Sequence, residues 1–120
     1  MSIKQVKGVA DIPSAELEDW GPVELPLSET ISQLRGRVIN EHPDGSEAGI
    51  WECTPGRFVR EVLQAEMVTF LSGHCIFHPE NGDPIEIKGG DVLFFPENSK
   101  GTWEIIETVR KAYLIYNIKQ

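Results

Sequence analysis

Two residues of opposite charge, Arg60 and Glu66, each lie alone among apolar neighbours in short extended segments. Side chains alternate between the two faces of a strand, so Arg60 shares its face with Phe58 and Val62. By the same alternation, Glu66 shares its face with Val68. A charge that points into an apolar interior is costly unless it has a partner. The pattern therefore predicts that Arg60 and Glu66 face each other inside the protein.

This pairing leaves two interpretations open. The two side chains either form an ion pair that satisfies itself, or mark the polar floor of a ligand pocket. In a pocket, Arg60 would bind a small carboxylate or ureide-like anion, and Glu66 is the candidate catalytic acid or base. A tight pair with Arg60 would make Glu66 a poor base near neutral pH, so these roles exclude each other.

Four further residues complete the candidate ligand-binding set. Trp51 and Trp103 are either core residues or aromatic walls that stack on a planar ligand. Lys111 and Tyr113 share one face of the last predicted strand. If Lys111 faces inward, it supplies a second cation for an anionic ligand, and if it faces outward it is solvated.

The elements that must position these residues are short strands. Segments rich in Val, Ile, Phe, Trp and Thr alternate with turn signals, which is typical of an all-β sandwich or barrel. We expect a single domain over residues 1–120, with an N-terminal arm and first strands in 1–40 and the core barrel in 49–118. A weak helix candidate of one turn covers residues 14–19.

A turn at Ser72-Gly73 is predicted to close a two-residue β-hairpin. It would pair Phe70 with Cys75 and keep Glu66, Cys75 and Phe77 on the inward face. His74 and His78 would then lie on the outward face, away from Glu66. We therefore expect neither histidine to take part in an interior site.

The charge balance excludes some partners. The net charge is −8, from 11 basic and 19 acidic residues, whereas nucleic acids and anionic membranes are bound by basic patches. No segment has the roughly 20 apolar residues of a membrane span, and the N-terminus has no apolar run of signal-peptide length. We expect a cytoplasmic protein in which Cys53 and Cys75 are reduced core thiols.

An ordered set of motifs resembles the cupins. Glu66-x6-Gly73 is similar to the end of the first cupin motif, and Gly90-x5-Pro96 to the start of the second. Further motifs resemble small single-domain cupins similar to the cupin domain of (S)-ureidoglycine aminohydrolase, in the RmlC-like superfamily: Trp51-Glu52, Pro55-Gly56, Gly101-x-Trp103 and Arg110-Lys111-x-Tyr113. The resemblance implies a jelly-roll β-barrel that is usually a homodimer. It implies less about the reaction, since one fold hosts many functions.

The positions of the cupin metal ligands depart from the family pattern. Depending on the spacing before Glu66, the two motif histidines fall on Arg60 and Val62 or on Val59 and Glu61. One remaining carboxylate is too few for a transition metal, which takes about three protein ligands even in an open site. We expect no metal and no other cofactor.

Gly101 occupies the position of the remaining cupin histidine. We expect it to leave space in the barrel for something else. Three functions stay open: metal-independent binding of a small carboxylate or ureide-like ligand, a metal-independent isomerase or hydrolase using Glu66, and a metal-dependent aminohydrolase.

Overall fold

The protein is all-β, in a computed structural model that describes residues 2–118. Two single-turn 3-10 helices, Val9–Asp11 and Ser14–Glu16, precede the strands. The eight strands are β1 Glu18–Pro22, β2 Gln33–Glu41, β3 Glu47–Cys53, β4 Gly56–Val62, β5 Ala65–Pro79, β6 Ile85–Lys88, β7 Val92–Phe95 and β8 Ser99–Tyr116.

Two long antiparallel strands, β5 and β8, organise the fold. One face runs in the order β1, β2, β3, β8 and β5, with β7 on the far side of β5. The other face is formed by β4, the first half of β8, the second half of β5, and β6. Because both long strands contribute to both faces, the structure closes around one interior, as in a cupin jelly roll.

The predicted hairpin turn at Ser72-Gly73 is wrong, because β5 continues through it without a break. The register of β5 against β8 slips between Phe70 and Cys75. Gly73 has φ +93°, a left-handed conformation that favours glycine, and a side chain there would collide with the backbone at Thr108. The sequence signal was therefore a β-bulge inside one strand.

The bulge preserves the predicted faces. It changes the inward residues from even to odd numbers, so Glu66 and Phe70 before it and Cys75 and Phe77 after it are all buried. Their neighbours His74 and His78 point outward and contact Glu86 and Glu104 respectively, as expected from the alternation.

The interior between the two faces is apolar and aromatic. Trp103 lies at its centre, within 6.4 Å, measured between ring centroids, of each of four other aromatic rings. The buried cluster consists of Val23, Cys53, Phe58, Val68, Phe70, Cys75, Phe77, Ile87, Phe95, Trp103, Ile105, Val109 and Tyr113. Both cysteines are free thiols in this core.

The N-terminal arm, residues 2–17, lies along the outer surface of β2, β3 and β8. Arg110 Nη1 donates hydrogen bonds to the carbonyl oxygens of Val9 and Ile12. Arg35 Nη1 donates to the carbonyls of Ser14 and Leu17. The predicted helical turn is a 3-10 turn, and the Ser14 hydroxyl does not cap it. Among residues 2–118, no helix is both long enough and apolar enough to cross a membrane.

Candidate functional site

A cavity of about 450 Å³ opens into the barrel interior. Its volume lies within the range of roughly 300–1,000 Å³ that is common for small-molecule sites. The cavity lining contains every residue of the predicted ligand-binding set, namely Arg60, Glu66, Trp103, Trp51, Lys111 and Tyr113. The structure thus brings these residues together. Their role in binding a ligand stays a prediction.

The floor of the cavity is ionic. Arg60 Nη2 lies 2.8 Å from Glu66 Oε1, and Lys111 Nζ lies 3.1 Å from Glu66 Oε2. All three side chains are at most 5% exposed. Arg60 also donates to the Ser99 hydroxyl at 2.7 Å, and its guanidinium stacks 3.9 Å from the centroid of Phe95. Two basic groups share one carboxylate, so this cluster carries one excess positive charge whenever Lys111 is protonated.

Strand register explains why these three residues meet. Arg60 comes from β4, Glu66 from β5 and Lys111 from β8, each on the inward parity of its strand. Lys111 lies opposite Trp51 on β3 and opposite Phe70 on β5. Lys111 therefore faces inward, which was one of its two sequence interpretations.

The space expected at Gly101 is filled. A side chain at this position would collide with the Phe77 ring and with the carbonyl oxygen of His78. Gly101 pairs with Arg60 across β4 and β8, and the Arg60 guanidinium lies 5.9 Å from the centroid of the same Phe77 ring. The missing histidine therefore makes room for a core phenylalanine, and the expectation of free space there was wrong.

The charges of the cluster shift one another's pKa. Burial alone would raise the pKa of Glu66, but Lys111 and Arg60 outweigh it and hold that pKa below its usual 4.5. Burial lowers the pKa of Lys111, and Arg60 adds to this effect while Glu66 opposes it. Glu66 is therefore a paired anion at neutral pH, which argues against its use as a general base.

Lys111 has hydrogen-bonding capacity left over. An ammonium group carries three N–H donors, and among residues 2–118 Nζ has one hydrogen-bond acceptor, Glu66. The ammonium lies 4.2 Å from the centroid of Trp51 and 5.5 Å from that of Trp103, so aromatic faces also stabilise its charge.

The residues present do not fit the metal that the cupin motif implies. Within residues 2–118, no group of three or more His, Cys, Asp or Glu side chains is placed to hold a metal ion. Both oxygens of Glu66 already accept hydrogen bonds from cations. A divalent ion at this position would lie beside Arg60 and Lys111 with one shared carboxylate, which is electrostatically unfavourable.

Aromatic side chains form the sides of the cavity above the ionic cluster. All three tryptophans of the chain, Trp20, Trp51 and Trp103, line the cavity. Trp103 is 2% exposed, so it is a core residue that also borders the cavity. Trp51 is half-buried, and Cys53, which shares its strand face, lies in the core outside the cavity lining.

The lining residues that were not predicted from the sequence include Trp20 and Glu47. Trp20 packs over Gly36, where a side chain would collide with its ring. Glu47 lies right after a turn, where an acidic residue is usually solvated. It nevertheless shares the parity of Trp51, and that alternation was a signal that could have identified it.

The cavity lining does not include Glu52, Lys100 or His42. Glu52 is buried on the outer side of β3, where it pairs with Arg110 at 2.5 Å beneath the N-terminal arm. Lys100 is exposed and borders a separate groove. His42 is an exposed residue of the turn between β2 and β3.

Comparison with known proteins gives a family. Residues 41–113 match the EutQ-like cupin domain. A pyrimidine/purine nucleoside phosphorylase from Citrifermentans bemidjiense is 38% identical over 77 residues, which cover 61% of this chain and 75% of the relative.

Two solved structures share the fold. A protein of unknown function from the DUF861 family of Pseudomonas syringae pv. tomato has a TM-score of 0.74 at 23% identity, covering 83% of this chain. The chain spans only 44% of that protein. A putative ethanolamine utilization protein EutQ from Salmonella typhimurium LT2 has a TM-score of 0.61 at 23% identity, covering 75% of this chain and 72% of the other. The more specific resemblance to ureidoglycine aminohydrolase stays a prediction. The family match over residues 41–113 shows that the chain belongs to the EutQ-like cupin domain family.

Proposed function

We propose that the barrel is a metal-independent binding site for a small anion, a carboxylate or a ureide-like acid. The observation that carries the proposal is the sharing of one carboxylate, Glu66, by two buried cations at the floor of a cavity. An excess charge of this kind is costly in a low-dielectric interior, and a bound anion would compensate it.

The state of Lys111 couples binding to protonation. Burial holds its pKa below the usual 10.5, and a bound anion would raise it again because the charged form would gain a second partner. Anion binding at alkaline pH is therefore expected to take up a proton. The tryptophan walls would hold a flat ligand above the cation by stacking.

Ligand titrations followed by tryptophan fluorescence would test this proposal, because every tryptophan of the chain lines the cavity. The probes are acetate, benzoate, orotate, allantoate and inorganic phosphate. We expect at least one to bind, with affinity reduced at least tenfold in Lys111→Met. Lys100→Met is the matched control, since it removes an exposed lysine of the same strand. The absence of binding by any probe, or equal affinity in Lys111→Met, would refute the proposal.

A second candidate function is phosphorolysis of a nucleoside. It is favoured by the relative from Citrifermentans bemidjiense, which is a pyrimidine/purine nucleoside phosphorylase. In that reaction a phosphate oxygen attacks C1′ of the ribose, the C1′–N bond breaks, and the base nitrogen keeps the electron pair and takes a proton. Phosphate would be the anion held by Arg60 and Lys111.

This candidate is tested by incubating uridine or inosine with phosphate and measuring free base and ribose 1-phosphate. Phosphorolysis predicts equimolar release of both products, with activity lost in Lys111→Met. Binding of phosphate without product would support the anion site and refute phosphorolysis.

Two other activities have less support. An isomerase or hydrolase that uses Glu66 as acid or base is opposed by the lowered pKa of that group. A metal-dependent enzyme like ureidoglycine aminohydrolase is opposed by the donor set. Stoichiometric manganese or zinc in protein purified from supplemented cells would revive the metal-dependent alternative.

We also propose that the protein is a cytoplasmic homodimer. Met67, Phe94 and Leu114 are neighbours on the outer face and are 44%, 53% and 44% exposed. Burying such a patch against a second copy would be favourable. Light scattering during size-exclusion chromatography would give the mass, and Phe94→Glu should shift a dimer towards the monomer.

A further inference from the structure

Besides Glu66, three carboxylates border the same cavity, and of these Glu24 and Glu61 are exposed whereas Glu47 is half-buried and has no role in the anion site. Its Oε2 atom accepts a hydrogen bond of 2.5 Å from the Tyr113 hydroxyl. Its Oε1 atom accepts none from residues 2–118. The cavity thus contains an acceptor with unused capacity as well as an excess cation.

Tyr113 fixes Glu47 in this role. Burial raises the pKa of Tyr113, and the hydrogen bond to Glu47 adds to the shift. The phenol therefore stays protonated and donates a hydrogen bond to Glu47. The hydroxyl is packed against Gly49, where it would lie 2.7 Å from an added Cβ atom. This hydrogen bond holds the Glu47 carboxylate in place and leaves Oε1 as an acceptor for a ligand.

The acceptor and the cation lie at different positions along the barrel wall. Tyr113 and Lys111 are two residues apart on β8, about 7 Å along a strand, and face the same side. Glu47 lies beyond the Tyr113 hydroxyl, opposite Ile115 in the register. A ligand that contacts both residues therefore has an anionic group at one end, which binds Lys111, and a hydrogen-bond donor at the other end, which binds Glu47.

We infer that Glu47 is a specificity-determining residue that selects planar acids with N–H or O–H donors opposite the acidic group. The inference rests on the proposed anion site at Lys111 and Arg60. The class includes pyrimidine carboxylates and ureido acids, which combine a carboxylate with N–H groups. An acid without donors would leave Glu47 Oε1 desolvated without a donor, which is unfavourable.

The test compares orotate with 1,3-dimethylorotate by tryptophan fluorescence titration. The two acids share the ring and the carboxylate, but the second lacks both N–H donors. We expect the wild-type protein to prefer orotate at least tenfold. In Glu47→Met the preference should fall at least fivefold, while the affinity for dimethylorotate should rise because a negative charge has been removed. Tyr113→Phe, which removes the positioning residue, should lower the preference to an intermediate value.

Glu107→Gln is the matched control, because it removes one exposed carboxylate from β8, and its preference should equal that of the wild type. Equal affinity of the wild type for the two acids, with both weakened by Lys111→Met, would overturn the role of Glu47 and leave the anion site intact. An unchanged preference in Glu47→Met would also overturn it. Failure of the wild type to bind either these acids or the simpler anions would overturn the anion site itself.

Discussion

The strand pair β3 and β8 carries two buried ionic clusters, one on each of its sides. On the inner side, Trp51 pairs with Lys111, which bonds to Glu66. On the outer side, the next pair in the register is Glu52 with Arg110. The clusters are therefore adjacent in sequence and similarly buried, so their differences do not arise from the degree of burial.

The clusters differ in their charge balance and in what covers them. Arg110 donates to Glu52 through two nitrogens and to the carbonyls of Val9 and Ile12 through the third. Glu52 also accepts from the Ser14 hydroxyl at 3.0 Å. The outer cluster is thus neutral and closed by the arm, whereas the inner one has an excess cation and borders a cavity. A closed, neutral pair indicates a structural role, and an open, charged one indicates binding.

The largest expected effect concerns the outer cluster. Arg110→Met leaves Glu52 buried without its partner, and breaking a buried pair in this way costs about 3–5 kcal/mol. We expect the free energy of unfolding, measured in urea, to fall by that amount while the folded fraction keeps its anion affinity. A loss below about 1 kcal/mol would show that the outer cluster has no structural role and would remove the contrast.

Glu66→Gln should have the next largest effect. It leaves two buried cations without an anion, but Lys111 can release its proton, so we expect a smaller loss of about 2 kcal/mol at neutral pH. The pKa of Glu66 is lowered in the folded state, so its contribution is complete above about pH 4.5 and is lost as the pH falls through the folded value. Urea unfolding as a function of pH should show this acid loss in the wild type and not in the variant. An identical acid dependence in both proteins would contradict the pairing.

Lys111→Met should separate stability from binding. A methionine fills the aromatic surroundings of Lys111 and leaves the neutral pair Arg60–Glu66, so we expect unfolding free energy to change by less than about 1 kcal/mol. Anion affinity should nevertheless fall at least tenfold, about 1.4 kcal/mol. If stability falls as far as in Arg110→Met, both clusters are structural and the comparison fails.

The smallest effect is a dependence of stability on alkaline pH. The pKa of Lys111 is lowered in the folded state, so between that pKa and about 10.5 the unfolded chain binds more protons and stability rises with pH. Below the folded pKa the contribution is constant. The free energy of unfolding in urea should be measured for the wild type and for Lys111→Met, and the difference between them should rise with pH. A saturating anion should remove this rise. A difference that does not change with pH would show that Lys111 is not desolvated.

Local alternation was enough to predict much of the site. Arg60 and Glu66 were identified as inward residues because each has apolar neighbours two positions away, and this holds whatever joins the strands. The predicted faces therefore survived although the hairpin at Ser72-Gly73 is a bulge. A glycine with positive φ serves either structure, so the local sequence could not distinguish them.

The parts that were missed depend on contacts distant in sequence. The role of Arg110 requires the arm, about 100 residues away, to lie across β8. The filling of the space at Gly101 depends on the Phe77 side chain of another strand. The alternation within one segment gives no information about which strand lies opposite it.

The way the N-terminal arm is held has a consequence for its evolution. The arm is held by hydrogen bonds from three arginines to its backbone carbonyl oxygens, which every amino acid provides: Arg35, Arg37 and Arg110. Apart from Leu17, which is buried, and Ser14, which contacts Glu52, most positions of the arm can change without loss of these hydrogen bonds. Related chains can therefore keep the arm as a structural element after its sequence similarity has disappeared.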